Sequence, residues 1–262
     1  MLATRLAMVD VVLIHGFPLD ATMWDSQVAA LTAAGHRVLT PEVGGLGESA
    51  VPAAPADIAA MAQQVVDAMT DAGWDQAVMG GLSMGGYVAF AMLRVAPHMV
   101  SALVLMDTKA SADDPARRQT RRDTAAHVRR EASTEALARS MPASLLSASS
   151  LQGNPELAES VAGRIRAADP EAVAWCQEAM ATRPDSLTTL RSAGALPALV
   201  LCGEDDAVTP PADHAQMVAA LRDAGGNPQF VIIPGAGHLA PMEQPELVNE
   251  VLSAFLNGTA SD

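Results

Sequence analysis

Cysteine, lysine and long apolar runs are what this 262-residue chain has least of. Its two cysteines, Cys176 and Cys202, are too few for a disulfide framework. Cys202 lies in an apolar run, where a thiol behaves as a small hydrophobe. No zinc-type Cys/His spacing and no dinucleotide-binding glycine fingerprint occur, so the reading includes neither metal nor cofactor. No apolar stretch approaches the roughly 18 residues of a membrane-spanning helix. The opening "MLATRLAMVD" leads toward a strand without a signal-peptide pattern, and the expected setting is cytoplasmic. Basic residues are few, 16 against 30 acidic, for a net charge of −14. That balance argues against nucleic acid or an anionic membrane as partner and leaves a small molecule, with the chain a monomer or a homo-oligomer. Lys109 is the single lysine, and the arginine-rich bias is read as codon usage rather than function.

What the chain has in abundance is apolar residues, half of the total. A chain this long can bury roughly 75% of its unfolded surface. Continuously apolar runs at 11–15, 36–40, 76–82, 102–107, 198–202 and 229–233 read as strands of a parallel sheet covered on both faces. Amphipathic helical patterns separate them. Ile58, Met61, Val65 and Met69 mark one apolar face that Asp57 can cap and Gly73 end. Met23, Trp24, Val28 and Leu31 mark another, ended by Gly35; Leu247, Val251, Leu252 and Phe255 mark the last, ended by Gly258. Such alternation means βαβ units with right-handed crossovers. It breaks between 109 and 194, where only helical stretches punctuated by prolines and a glycine appear. The expected organisation is therefore a core of 1–108 and 195–262, with a helical insertion at 109–194. The expected sheet has six strands in the order 2-1-3-4-5-6.

Four glycines crowd Ser83 in "VMGGLSMGGYVAF", residues 78–90. Gly81-Leu82-Ser83-Met84-Gly85 fits G-x-S-x-G, a strand-to-helix turn so sharp that side chains two residues before and after the serine would collide. The turn strains the serine and holds its hydroxyl outward at the carboxyl end of the sheet. A serine nucleophile needs a base, and the base an orienting acid. "PGAGHLAP" (234–241) follows the sixth run and supplies His238; "CGEDDAVTPP" (202–211) follows the fifth and supplies Glu204, Asp205 or Asp206. Asp107, which ends the fourth run, is a rival acid. The oxyanion-binding N–H groups are expected at Met84, after the serine, and at Phe17, in the "HGFPLD" loop. His15 is read as holding that loop by a hydrogen bond.

These segments resemble the α/β-hydrolase superfamily with a helical cap. The likeness falls in the branch of 3-oxoadipate enol-lactonases, related to cofactor-free haloperoxidases (perhydrolases) and proline iminopeptidases. In that family the acid belongs to G-x-x-D-x-x-x-P, here Gly203, Asp206 and Pro210, so the resemblance implies Asp206. Relatives carry "PDLRGFGRS" where this chain has "PEVGGLGES" (41–49), which puts Gly44 in place of an arginine. They also begin with a hairpin for which the 14 residues before His15 leave little room. The resemblance implies a serine hydrolase of small esters or lactones. Perhydrolysis or carbon–carbon bond hydrolysis on the same residues is the alternative, and a ligand sensor with incidental hydrolysis stands behind both. Specificity is expected in the insertion, where Met141, Leu145, Leu146, Trp175 and Met180 are candidate pocket residues. Arg117, Arg118, Arg121, Arg122, Arg129 and Arg130 there are read as a solvated face paired with acids, with a contact to a substrate carboxylate as the sharper option.

Overall fold

The computed structural model describes residues 8–259. In chain order the elements are β1 (Asp10–Ile14), α1 (Asp25–Ala33), β2 (Arg37–Leu39), α2 (Ile58–Asp71), β3 (Ala77–Leu82), α3 (Met84–Val95) and β4 (Val100–Met106). Then follow α4 (Pro115–Glu131), α5 (Glu135–Ser140), α6 (Pro142–Leu145), α7 (Ala148–Gly153), α8 (Pro155–Ala167), α9 (Pro170–Thr182) and α10 (Leu187–Arg191). The chain returns to the sheet with β5 (Ala198–Gly203), α11 (Pro211–Asp223), β6 (Gln229–Ile233), α12 (Ala240–Glu243) and α13 (Pro245–Thr259).

The six strands pair in parallel in the order β2-β1-β3-β4-β5-β6. The central strands β3 and β5 are buried along their whole length, as their unbroken apolar sequences require. Successive side chains of a strand face opposite sides. Val12 and Ile14 accordingly enter the apolar layer shared with α2, α3 and α11, while Val11 and Leu13 enter the layer shared with α1 and α13. Edge strand β6 keeps Phe230 and Ile232 exposed.

Local signals set the helix ends. Asp57 accepts a hydrogen bond from Ala59 N–H at the start of α2, and Gly73 takes a left-handed φ of 70° beyond its end. The first predicted helix splits into a short 3-10 turn at Ala21–Trp24, capped by Asp20, and α1. The stop expected at Gly258 is not used: α13 runs through it to Thr259. Gly258 does not adopt the left-handed backbone that ends a helix. The segment where an N-terminal hairpin has little room falls largely on residues 1–7, outside the described residues.

Candidate active site

β3 ends at Leu82 and α3 begins at Met84, so Ser83 alone makes the turn, with φ 53° and ψ −110°. A Cβ at Gly81 would overlap the carbonyl of Gly85, and one at Gly85 would overlap the carbonyl of Ile14. Glycine is therefore forced at both positions. The serine backbone is fixed from β4: Ser83 N–H donates to Met106 O at 3.0 Å, and Thr108 Oγ1 donates to Ser83 O at 2.7 Å.

His238 arrives from the loop after β6, and its Nε2 lies 2.8 Å from Ser83 Oγ. Its Nδ1 lies 3.0 and 2.9 Å from the two carboxylate oxygens of Asp206. An ionised carboxylate can only accept, so Nδ1 carries the proton and Nε2 accepts from the serine hydroxyl. Burial pushes the Asp206 carboxyl up, but His238 and Thr209 outweigh it and hold the group below the usual carboxylate range. Thr209 Oγ1 donates to Asp206 Oδ2 at 2.7 Å, and the N–H groups of Val208 and Thr209 donate to Oδ1 at 2.8 and 3.0 Å. Glu204 and Asp205 are exposed. Asp107 is fully buried, but its oxygens accept from the N–H groups of Gly203 (2.7 Å) and Ala240 (3.3 Å) rather than facing the imidazole. Burial and the neighbouring Asp206 push its carboxyl well above the usual range.

The histidine loop is itself clamped. Glu243 Oε1 accepts from Gly237 N–H (2.9 Å) and Leu239 N–H (3.2 Å), and His238 N–H donates to Leu145 O at 2.8 Å. His15 is buried; its Nε2 accepts from Val43 N–H at 3.1 Å and its Nδ1 donates to Gly16 O at 3.1 Å. A ring nitrogen that accepts belongs to a neutral imidazole, and burial lowers the pKa in the same direction. Gly16 brings the loop carrying Phe17 onto the turn: a Cβ there would lie 3.7 Å from Ser83 Cβ. Met84 N–H, in the first turn of α3, has no partner within that helix. Asp107, Cys202 and His214 form a compact buried group of potential ligand atoms. Both nitrogens of His214 are already engaged, Nε2 with Thr108 N–H and Nδ1 with Pro210 O, which leaves no lone pair for a metal.

A cavity of about 260 Å³ opens over Ser83 and His238. Met141, Leu145 and Met180 line it beside Phe17, Tyr87 and Val208. Trp175 and Leu146 do not. Trp175 is buried in the core and donates from Nε1 to Ala54 O at 3.3 Å, while Leu146 packs into the layer of α1 and α13. The polar lining is cationic: Lys109, Arg117 and Arg121, with Asp114 and Gln177. Buried Asp113, just outside the cavity, binds Lys109 (3.4 Å), Arg121 (2.5 Å) and Arg183 (2.7 Å) at once. One carboxylate thus faces three cations. Among the described residues the Arg117 guanidinium has no hydrogen-bond or ion-pair partner, whereas Arg129 is paired with Glu171 and Glu178. Lys109 went unassigned in the sequence; being the only lysine in an acidic chain was its one signal.

Residues 11–245 match the model of the α/β-hydrolase fold family. The chain belongs to this family. Among solved structures, the fold is similar to a thermophilic esterase from Thermogutta terrifontis in a malate-bound structure. The two are 40% identical with a TM-score of 0.90, over 96% of this chain and 90% of that one. It is also similar to the enol-lactonase of Burkholderia xenovorans LB400, 25% identical with a TM-score of 0.85, over 95% and 92% of the two chains. A further relative is the dihydrolipoyllysine-residue acetyltransferase component of the acetoin cleaving system of Pseudomonas putida, 29% identical over 255 residues. Those residues are 94% of this hydrolase-fold chain, which spans 62% of that relative's length. Among the described residues no helix is long and apolar enough to cross a membrane.

Proposed function

We propose that this α/β-hydrolase-fold protein is a serine hydrolase that cleaves a small ester or lactone through an acyl-enzyme on Ser83. The observation that carries the reading is the unbroken chain from Ser83 Oγ to His238 Nε2 (2.8 Å) and from His238 Nδ1 to Asp206 (2.9 Å). His238 Nε2 takes the hydroxyl proton as Ser83 Oγ attacks the carbonyl carbon, and later returns it to the leaving oxygen. Asp206 fixes the tautomer and stabilises the imidazolium. The N–H groups of Phe17 and Met84 receive the oxyanion of the tetrahedral intermediate. Water activated by the same imidazole then releases the acid. The family membership and the esterase and enol-lactonase neighbours support this reaction class over a ligand sensor.

In this reading residues 109–194 form a cap whose lining selects the substrate. Lys109, Arg117 and Arg121 exceed the acids beside them, so the cavity favours an ester or lactone bearing a carboxylate. The test is a panel of esters and lactones of graded acyl size, neutral and carboxylated, assayed with wild type and Ser83→Ala. Loss of about four orders of magnitude in rate is expected in the variant. Retention of more than about a tenth of wild-type turnover excludes Ser83 as nucleophile.

A further inference from the structure

The turn that follows β4 touches all three segments of the proposed machinery. On either side of Asp107, Met106 O and Thr108 Oγ1 hold the backbone of Ser83 at 3.0 and 2.7 Å. Asp107 Oδ1 accepts the N–H of Gly203, three residues before Asp206, at 2.7 Å. Its Oδ2 accepts the N–H of Ala240, two residues after His238, at 3.3 Å. The side chain is fully buried, and the backbone is left-handed at φ 44°, a conformation unusual outside glycine, asparagine and aspartate. The proton relay from Ser83 to Asp206 makes no use of this carboxyl.

We propose that Asp107 is a positioning residue, a single buried carboxyl that pins the acid loop and the histidine loop to the strand beside the nucleophile and so holds His238 Nδ1 in register with Asp206. The proposal rests on the reading of Ser83, His238 and Asp206 given above. Two buried backbone N–H groups, one ending β5 before the acid loop and one opening α12 after the histidine loop, need acceptors, and one rigid two-oxygen group supplies both. The separation of the loops is then set by the width of a carboxyl group. Nearby acids do not duplicate the arrangement. Glu243 ties the histidine loop, through Gly237 and Leu239, to Ser147 N–H (2.8 Å) and does not reach the acid loop, and Glu204 reaches Gly235 N–H from an exposed position. His214 and Cys202, the remaining buried groups in the cluster, bond to backbone atoms instead: His214 to Thr108 and Pro210, Cys202 to Gly203 O.

Two variants separate the carboxyl from the turn that carries it. Asp107→Gly keeps the left-handed backbone at no steric cost and removes both acceptors. Asp107→Asn tolerates the same backbone and keeps one acceptor oxygen. Steady-state kinetics on one ester should show kcat reduced about 100-fold in Asp107→Gly and about 10-fold in Asp107→Asn, with KM within about twofold of wild type. The far-downfield NMR resonance of the His238 Nδ1 proton should shift or vanish in step with kcat. If Asp107→Gly does not fold, Asp107→Asn decides alone, by the same loss in kcat at constant KM. Wild-type kcat within about threefold, or a loss carried equally by KM, overturns the proposal. Failure of the underlying reading shows separately, as activity surviving in Ser83→Ala.

Discussion

The carboxyl ends of the strands and the helical stretch between β4 and β5 are stabilised by different means. At the strand ends each chemical group is held through main-chain atoms on at least one side: a glycine-lined turn for Ser83, main-chain donors on Asp206, and loop N–H groups bound by Glu243. In the helical stretch, side chains bind side chains, as in Asp113 with Lys109, Arg121 and Arg183, and Arg129 with Glu171 and Glu178. The first arrangement fixes atoms to within a hydrogen bond's tolerance, as bond making requires. The second places charge around a cavity, which is enough to choose a substrate.

Substitutions at the strand ends should therefore act on kcat, and those in the helical stretch on KM and stability. The largest separation is expected from the adjacent acids. Asp206→Asn should lower kcat about 10⁴-fold by favouring the wrong imidazole tautomer, while exposed Asp205→Asn should stay within about threefold in the same assay. A crippled Asp107→Asn beside a near-normal Asp206→Asn would move the acid to β4.

The next effect belongs to the cavity wall. Lys109→Met and Arg117→Met should each raise KM for a carboxylated ester by roughly 10- to 100-fold, the worth of a charge-assisted hydrogen bond. KM for the neutral ester of equal size should hardly change. Equal effects on both esters would mean that these side chains shape the cavity without reading charge.

Asp113→Asn sharpens the contrast from the side of stability. Its carboxyl is only 1% exposed, and Arg183 and Arg121 hold it well below the usual carboxylate range despite burial. Removing it strands those cations, at a cost of about 3 kcal/mol. A fall in Tm of several degrees is expected in thermal melts, with kcat on a neutral ester largely kept.

The smallest effect concerns pH. Burial lowers the pKa of His15 and of His214 in the folded chain. The unfolded chain binds protons near pH 6.5 that these folded imidazoles refuse, so their contribution to stability is present at neutral pH and falls on acidification through that range. Calorimetry from pH 7.5 to 5.5 should show Tm falling, and less steeply in His15→Gln than in wild type.

The same contrast explains what the sequence made legible. Gly81 and Gly85 around Ser83 and the apolar strands are local patterns with a direct steric meaning, and they led to the sharp turn and to the sheet order. The resemblance pointed to Asp206; the residues alone left four acids open, Glu204, Asp205, Asp206 and Asp107. Long-range packing was not legible. Trp175 and Leu146 are apolar and helical like Met141 and Leu145, and only the tertiary fold turns the former pair into the core and the latter toward the cavity. Lys109 and Thr209 carried no pattern either: Lys109 reaches the cavity wall only once the helices are packed, and Thr209 meets Asp206 through a turn whose geometry one residue cannot signal. Gly44, the departure from the family's arginine, sits where a Cβ would press on Cys176 of α9 at 2.6 Å, a contact invisible before the helices were placed.

Intact-protein mass spectrometry after treatment with a fluorophosphonate shows directly whether Ser83 is the nucleophile. Such a reagent is trapped only by a serine whose proton an adjacent base removes. One covalent adduct is expected, mapped to Ser83, absent in Ser83→Ala and strongly slowed in His238→Ala. An adduct on another residue, or none on wild-type protein that turns over an ester, would contradict that assignment.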